Sequence, residues 1–204
     1  MLPSNRCLEF LKRKCSQRVK REEAINMQKQ EVLFDMKELQ KQAAILALGM
    51  LFAATFSYLL IHGFEFHISL SGIAVIFLLT IIGIILHELL HGVGFVVFGH
   101  VKPNQVKYGF SMKDGAAYAH CMTPITLRAY RMALLLPVIL TGLVPLLFSY
   151  MTGNGILLTV SVILTAGGVG DWIIFRSLTK YEARQFVMDH PTEVGYFIYT
   201  EAPD

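Results

Sequence analysis

Residues 68–98 read ISLSGIAVIFLLTIIGIILHELLHGVGFVVF, and this stretch decides the fold. From Ile68 to Leu86 it holds no charged residue, a run long enough as a helix to cross most of a hydrocarbon core about 30 Å thick. The same apolar segment then carries two imidazoles and a carboxylate, His87-Glu88-Leu89-Leu90-His91. Burying such groups is costly unless something pairs with them. Histidines four residues apart share one helix face. That spacing suits a single zinc ion, with Glu88 beside it to take a proton from an activated water. The stretch predicts a membrane helix with a metallopeptidase-type motif.

Outward from this segment, the composition agrees. The 204 residues are 54% hydrophobic, with a mean hydropathy of +0.51, and the apolar residues concentrate in four runs. These are Ala43–Ile61, Ile68–Phe98, Met132–Tyr150 and Gly155–Ile174, each long enough for a transmembrane helix. The expected fold class is all-α integral membrane, four transmembrane helices with a small β-hairpin between the second and third. The hairpin is expected from Gln105 to Cys121, where short β-prone stretches flank Asp114-Gly115, a tight-turn dipeptide. Residues 1–42 read as a basic amphipathic segment suited to a helix on the inner membrane surface. Residues 43–178 read as the four-span domain and 179–204 as a polar tail.

Charge placement sets the expected topology. Of the 18 Lys and Arg residues, ten precede the first run, five lie between the second and third, and three follow the fourth. The connections Gly63–His67 and Met151–Asn154 have none. The positive-inside rule therefore puts both termini and the hairpin in the cytoplasm. No cleavable signal peptide is expected, and the first span would serve as the insertion signal. Cys7, Cys15 and Cys121 then face a reducing compartment, so no structural disulfide is expected. Acidic residues such as Glu22, Glu23, Glu31, Asp35 and Glu38 interrupt the basic N-terminal segment, which argues against nucleic acid as a partner. The expected partners are the lipid bilayer and a membrane protein or peptide substrate.

The fourth run carries Gly167-Gly168-Val169-Gly170-Asp171, with glycines that permit close helix approach. Among the 15 acidic residues, only Glu88 and Asp171 fall inside the apolar runs. Both lie towards the ends of runs that cross in the same direction, so they arrive at similar depth. A catalytic zinc takes three protein ligands and keeps one position open. His87 and His91 supply two, and an intramembrane carboxylate suits the third. Asp171 is the expected donor, with His100, His120, Glu182 and His190 as alternatives. Glu88 is the expected general base, and His120 is a candidate contact to an oxyanion or substrate. His62 and His67 fall on the other side of the membrane. The rival classes are a divalent-metal transporter and a non-catalytic scaffold with a structural metal.

The chain resembles a family of small four-span bacterial membrane proteins described as zincin peptidases, related in plan to site-2-type intramembrane metalloproteases. The resemblance is carried by HELLHG at 87–92, AHCMTPIT at 119–126 with the following Arg131–Pro137 run, GGVGD at 167–171 and MDHPTEVG at 188–195. It implies zinc, peptide-bond hydrolysis within or near the membrane, and a third ligand from an aspartate on a later helix, the role that Asp171 matches. The sequence context of Asp171 differs from the site-2 pattern, because Trp172 follows it and no Asn-Pro precedes it.

Overall fold

The computed structural model describes residues 29–63, 69–112 and 115–202. The expectations for residues 1–28, including Cys7 and Cys15, and for His67 and Asp114, lie outside these. Strand β1, Lys29–Leu33, leads into helix α1, Met36–His62, and helix α2, Leu70–Gly99, follows. Strands β2, Val106–Ser111, and β3, Ala116–Cys121, form the hairpin. Strand β4, Ile125–Thr126, runs directly into α3, Leu127–Thr152, then α4, Gly155–Leu178. Strands β5, Phe186–Asp189, and β6, Gly195–Tyr199, end the fold.

The four helices are long and apolar enough to cross a membrane. Each begins where a short polar side chain accepts from an otherwise unpaired backbone N–H. Asp35 does this for Lys37, Ser69 for Gly72, Thr126 for Ala129 and Asn154 for Leu157. Helices α3 and α4 are the inner pair. The most apolar windows of α3 and α4 are 39% and 44% buried, against 6% and 11% for α1 and α2. Large apolar side chains such as Phe52, Leu60, Phe77 and Ile85 are exposed along α1 and α2, the surface a bilayer would cover.

Small residues set how closely α2 meets α3. A Cβ on Gly94 would lie 2.7 Å from the Cα and 2.8 Å from the Cβ of Ala133, so only glycine permits this crossing. The close approach also brings the Ala133 carbonyl within 3.1 Å of His91 Nδ1. Gly94→Ala forces backbone against backbone, and overpacking of this kind costs about 1–3 kcal/mol. The expected result is a lower thermal midpoint in detergent, while Gly170→Ala, in open space, leaves it unchanged.

Two sheets broaden the all-α expectation. The hairpin pairs Val106 with Cys121 through to Ser111 with Ala116, as its sequence predicts. A second, four-stranded antiparallel sheet has the order β1-β6-β5-β4 and ties the segments before α1, before α3 and after α4 into one layer. Residues 29–33 are therefore a strand rather than part of a surface helix. Residues 186–199 are a packed β-ribbon rather than a polar tail, with Val187, Tyr196 and Ile198 fully or almost fully buried. The main core lies at this end of the bundle, where Phe95, Val106, Cys121, Leu127, Tyr130 and Leu178 meet the sheet. Arg131 donates to the carbonyls of Leu178 and Tyr181, satisfying carbonyls that the end of α4 leaves free.

Candidate metal centre

His87 and His91 project from one face of α2, and both are buried. Their rings lie 5.0 Å apart, nearly perpendicular. Asp171 comes from α4, whose path past His87 depends on one glycine. A Cβ on Gly168 would sit 3.3 Å from His87 Cε1 and 2.9 Å from Val138 Cγ2, whereas Gly167 and Gly170 have open space around them. Of the three glycines expected to permit close approach, Gly168 is the one at the contact. One helical turn later, the Asp171 carboxylate places Oδ2 2.9 Å from His87 Nε2 and Oδ1 3.3 Å from His91 Nε2.

The outer faces of the imidazoles are committed. His91 Nδ1 meets the Ala133 carbonyl, which can only accept, so this nitrogen carries the proton. His87 Nδ1 meets Thr141 Oγ1 at 3.3 Å. That hydroxyl already donates to the Pro137 carbonyl at 2.8 Å, so it accepts from His87. Thr141 reaches this place because α3 widens into a π-helical segment at Val138–Leu143. Pro145, just beyond it, cannot donate to the carbonyl four residues earlier, and such widened turns recur at functional sites.

With their Nδ1 protons so placed, neutral imidazoles would turn both Nε2 lone pairs towards the Asp171 side of the site, where an ion could take them. These ligand atoms of His87, His91 and Asp171 all lie within 4.8 Å of one another. Tetrahedral zinc bonds of 2.0–2.2 Å imply donor separations of roughly 3.4 Å, close to the spacings observed. Two nitrogens and one carboxylate oxygen make a donor set that fits zinc, and the Ala133 carbonyl and Thr141 hydroxyl behind the imidazoles fix their orientation as ligands need.

A family model described as "Putative zincin peptidase" matches residues 80–186, just over half of the chain. The chain belongs to that family. The matched span contains His87, Glu88, His91 and Asp171 and stops as β5 begins, so the β-ribbon lies almost wholly beyond it. Neither the curated proteins nor the solved structures give a match.

The remaining sequence candidates sit elsewhere. His100 is an exposed left-handed cap at the end of α2, with φ 53°. Glu182 pairs with Arg184 on the surface. His190 Nδ1 accepts from the Glu193 N–H at 2.8 Å, and Nε2 lies 3.0 Å from Glu31, so this side chain orders the β5–β6 turn and pins it to β1. His120 stacks on Tyr118 with ring centroids 4.5 Å apart. Strand alternation puts that pair on the face of the hairpin opposite Val106 and Cys121, and these two face the core.

Glu88 is partly buried beside the histidines. Two residues that sequence reasoning missed lie near this centre. Tyr108 on β2 places its hydroxyl against Gly92. Burial, then the Glu88 carboxylate, raises its phenol above the ordinary value, so it holds its proton at neutral pH. Asp189 on β5 is buried and accepts from the Cys121 N–H at 2.6 Å and from the Tyr130 hydroxyl. Burial raises its carboxyl, and the Tyr130 and Cys121 hydrogen bonds oppose that rise. Burial also pushes the Cys121 thiol up to about 12, so at neutral pH Cys121 is a core residue rather than a nucleophile.

Proposed function

We propose that this protein is a zinc-dependent membrane-embedded peptidase that cleaves a membrane protein or peptide within or near the bilayer, at its cytoplasmic side. The observation that carries this reading is the convergence of His87 Nε2, His91 Nε2 and the Asp171 carboxylate, with both outer imidazole nitrogens already donating. Helix α2 spans about 45 Å at 1.5 Å per residue, longer than the hydrocarbon core. His87 lies past its middle, towards the end bearing the basic hairpin. The positive-inside rule assigns that end to the cytoplasm.

His87, His91 and Asp171 would hold the ion, which when bound supplies Lewis-acid polarisation and an acidified water. Glu88 takes the proton of the attacking water as the water oxygen bonds to the scissile carbonyl carbon and the π pair moves onto the carbonyl oxygen. It then gives that proton to the departing nitrogen as the C–N bond breaks. Water is consumed, and Glu88 returns to its starting state. Thr141 and the Ala133 carbonyl hold the imidazoles with Nε2 unprotonated throughout.

Glu88→Gln removes the base without touching a ligand, and general acid–base groups contribute about 10²–10⁴-fold to rate. Membrane proteomes of cells carrying wild type and Glu88→Gln test the reading. The expected result is one or more precursors that accumulate in the variant, whose purified protein retains about one zinc per chain. Indistinguishable proteomes, or wild-type protein free of transition metal when purified without chelator, would overturn it.

A further inference from the structure

Resting on the peptidase reading, we propose that Tyr108 is a catalytic residue, its hydroxyl donating a hydrogen bond to the scissile carbonyl oxygen as that oxygen becomes an anion. Such a reaction needs a donor aimed at the developing charge, and the neighbouring polar groups are otherwise engaged. Arg131 is anchored through Nη2 to the carbonyls of Leu178 and Tyr181, and its Nε is buried in the core away from an incoming peptide. Tyr130 donates to Asp189. Thr141 donates to Pro137. His120 stands on the opposite face of the hairpin.

Tyr108 is placed by two independent features. Opposite residues of the β2–β3 ladder share a face, so Val106 with Cys121 and Tyr108 with Ala119 point the same way. Val106 and Cys121 are buried against the Phe95 core, which turns that face towards α2. The second feature is Gly92, which follows His91 and lies one helical turn beyond Glu88. A Cβ there would overlap the Tyr108 hydroxyl and come within 2.7 Å of its Cζ. Glycine at 92 is thus what lets the phenol lie over the motif on the Glu88 side. Tyr108 is 49% exposed, so an incoming peptide can reach it, and among the described residues its hydroxyl makes no hydrogen bond of its own.

In the step proposed, the carbonyl oxygen gains the π pair while Tyr108 keeps its proton covalently and shares it by hydrogen bond. When the intermediate collapses, the pair returns to the C=O bond and the Tyr108 hydroxyl is released unchanged. The hydroxyl stands nearest Gly92 with the ring edge, Cζ and Cε1, behind it, so Tyr108→Phe removes that one oxygen and keeps the ring on the same face of the hairpin.

The test uses full-length wild type, Tyr108→Phe, Gly92→Ala and Glu88→Gln in detergent, acting on the precursor that accumulates in the Glu88→Gln strain. Zinc content and affinity for a phosphinic peptide copy of the cleaved sequence are measured alongside. Removing one such donor costs about 10²-fold or more in kcat. Tyr108→Phe is expected to lose that much kcat at unchanged KM and zinc content, and to bind the phosphinic peptide more weakly by a similar factor. Gly92→Ala, which displaces the phenol, is expected to follow it. Wild-type kcat and phosphinic affinity in Tyr108→Phe, with wild-type cleavage still dependent on Glu88, would overturn this inference alone. Absence of any Glu88-dependent cleavage would overturn the peptidase reading and this inference with it.

Discussion

Asp171→Ala is expected to leave the protein without zinc and to lower its thermal midpoint to that of chelator-treated wild type. The reason lies in the donor count. With His91 Nδ1 donating to Ala133 and His87 Nδ1 to Thr141, both Nε2 atoms face the same carboxylate, and the three groups together supply the donors for one ion. Removing the carboxylate leaves two neutral nitrogens, too few for a three-ligand site. A ligand that binds only the folded state stabilises it by about 2.7 kcal/mol at a hundred times its Kd and about 4.1 at a thousand times. For a chain of this size that corresponds to a shift of roughly 5–15 °C. Chelation should therefore lower the wild-type midpoint by an amount in this range and leave the Asp171→Ala midpoint where it is. Asp171→Asn separates metal loss from misfolding, because its amide can donate to one of the Nε2 lone pairs and hold the helices together without an ion. It should fold and lack zinc. Full zinc content in either variant would remove Asp171 from the site.

The bundle and the metal centre differ in how they could be read. Each long apolar helix announces itself through composition, because a bilayer imposes length and apolarity on any segment that crosses it. The runs 43–61 and 68–98 were legible for that reason, whereas the polar first turns of α1 from Met36 read as part of the segment before it. The pairing of Asp171 with His87 and His91 was legible through cost, since a carboxylate in an apolar run must have a partner and few runs supply one. The four-stranded sheet offered no comparable signal. Its strands are two to five residues long and come from three separate parts of the chain, so their pairing is a tertiary fact that local alternation does not encode. Lys29–Leu33 carries helix-compatible residues and becomes a strand because Gly195–Tyr199 offers it an edge.

The same distinction explains the side chains around the centre. His120 drew attention because histidine is chemically versatile, while Tyr108 did not, being one of eight tyrosines. Which of the two faces α2 follows from strand register, and one residue of slip would exchange them. A usable signal was nonetheless present. Val106, Tyr108 and Phe110 alternate with Lys107 and Gly109, which marks the apolar face of β2 as the one turned inward at its Val106 end. In the segment Asp189-His190-Pro191, both polar side chains have structural partners in other elements. Asp189 reaches β3 and α3, and His190 reaches β1.

Asp189→Ala is accordingly expected to cost about 3 kcal/mol of stability and to impair the reaction although Asp189 touches no ligand. The carboxylate is the acceptor for two buried donors, the Cys121 N–H at the end of the hairpin and the Tyr130 hydroxyl on α3. Each donor left unpaired costs about 1–3 kcal/mol. Tyr130 packs on Phe95, and Phe95 on His91, with ring centroids 5.6 and 6.4 Å apart, so the loosened layer lies directly beneath the histidines. Cys121 is paired with Val106, two residues before Tyr108, so the same loss frees the hairpin that carries the phenol. Asp189→Asn should recover much of the stability, since its oxygen can accept from Cys121 and its amide can donate to the Tyr130 oxygen. The pH dependence separates the two forms further. Because the folded carboxyl of Asp189 titrates above its unfolded value, its contribution is complete below the ordinary carboxylate range and is lost as pH rises through the folded value. Wild type should therefore lose stability relative to Asp189→Asn over that rise, read from thermal midpoints at a series of pH values. A pH-independent difference between the two proteins would show that Asp189 does not titrate as a buried carboxyl, and an Asp189→Ala midpoint equal to wild type would show that it does not hold the hairpin to α3.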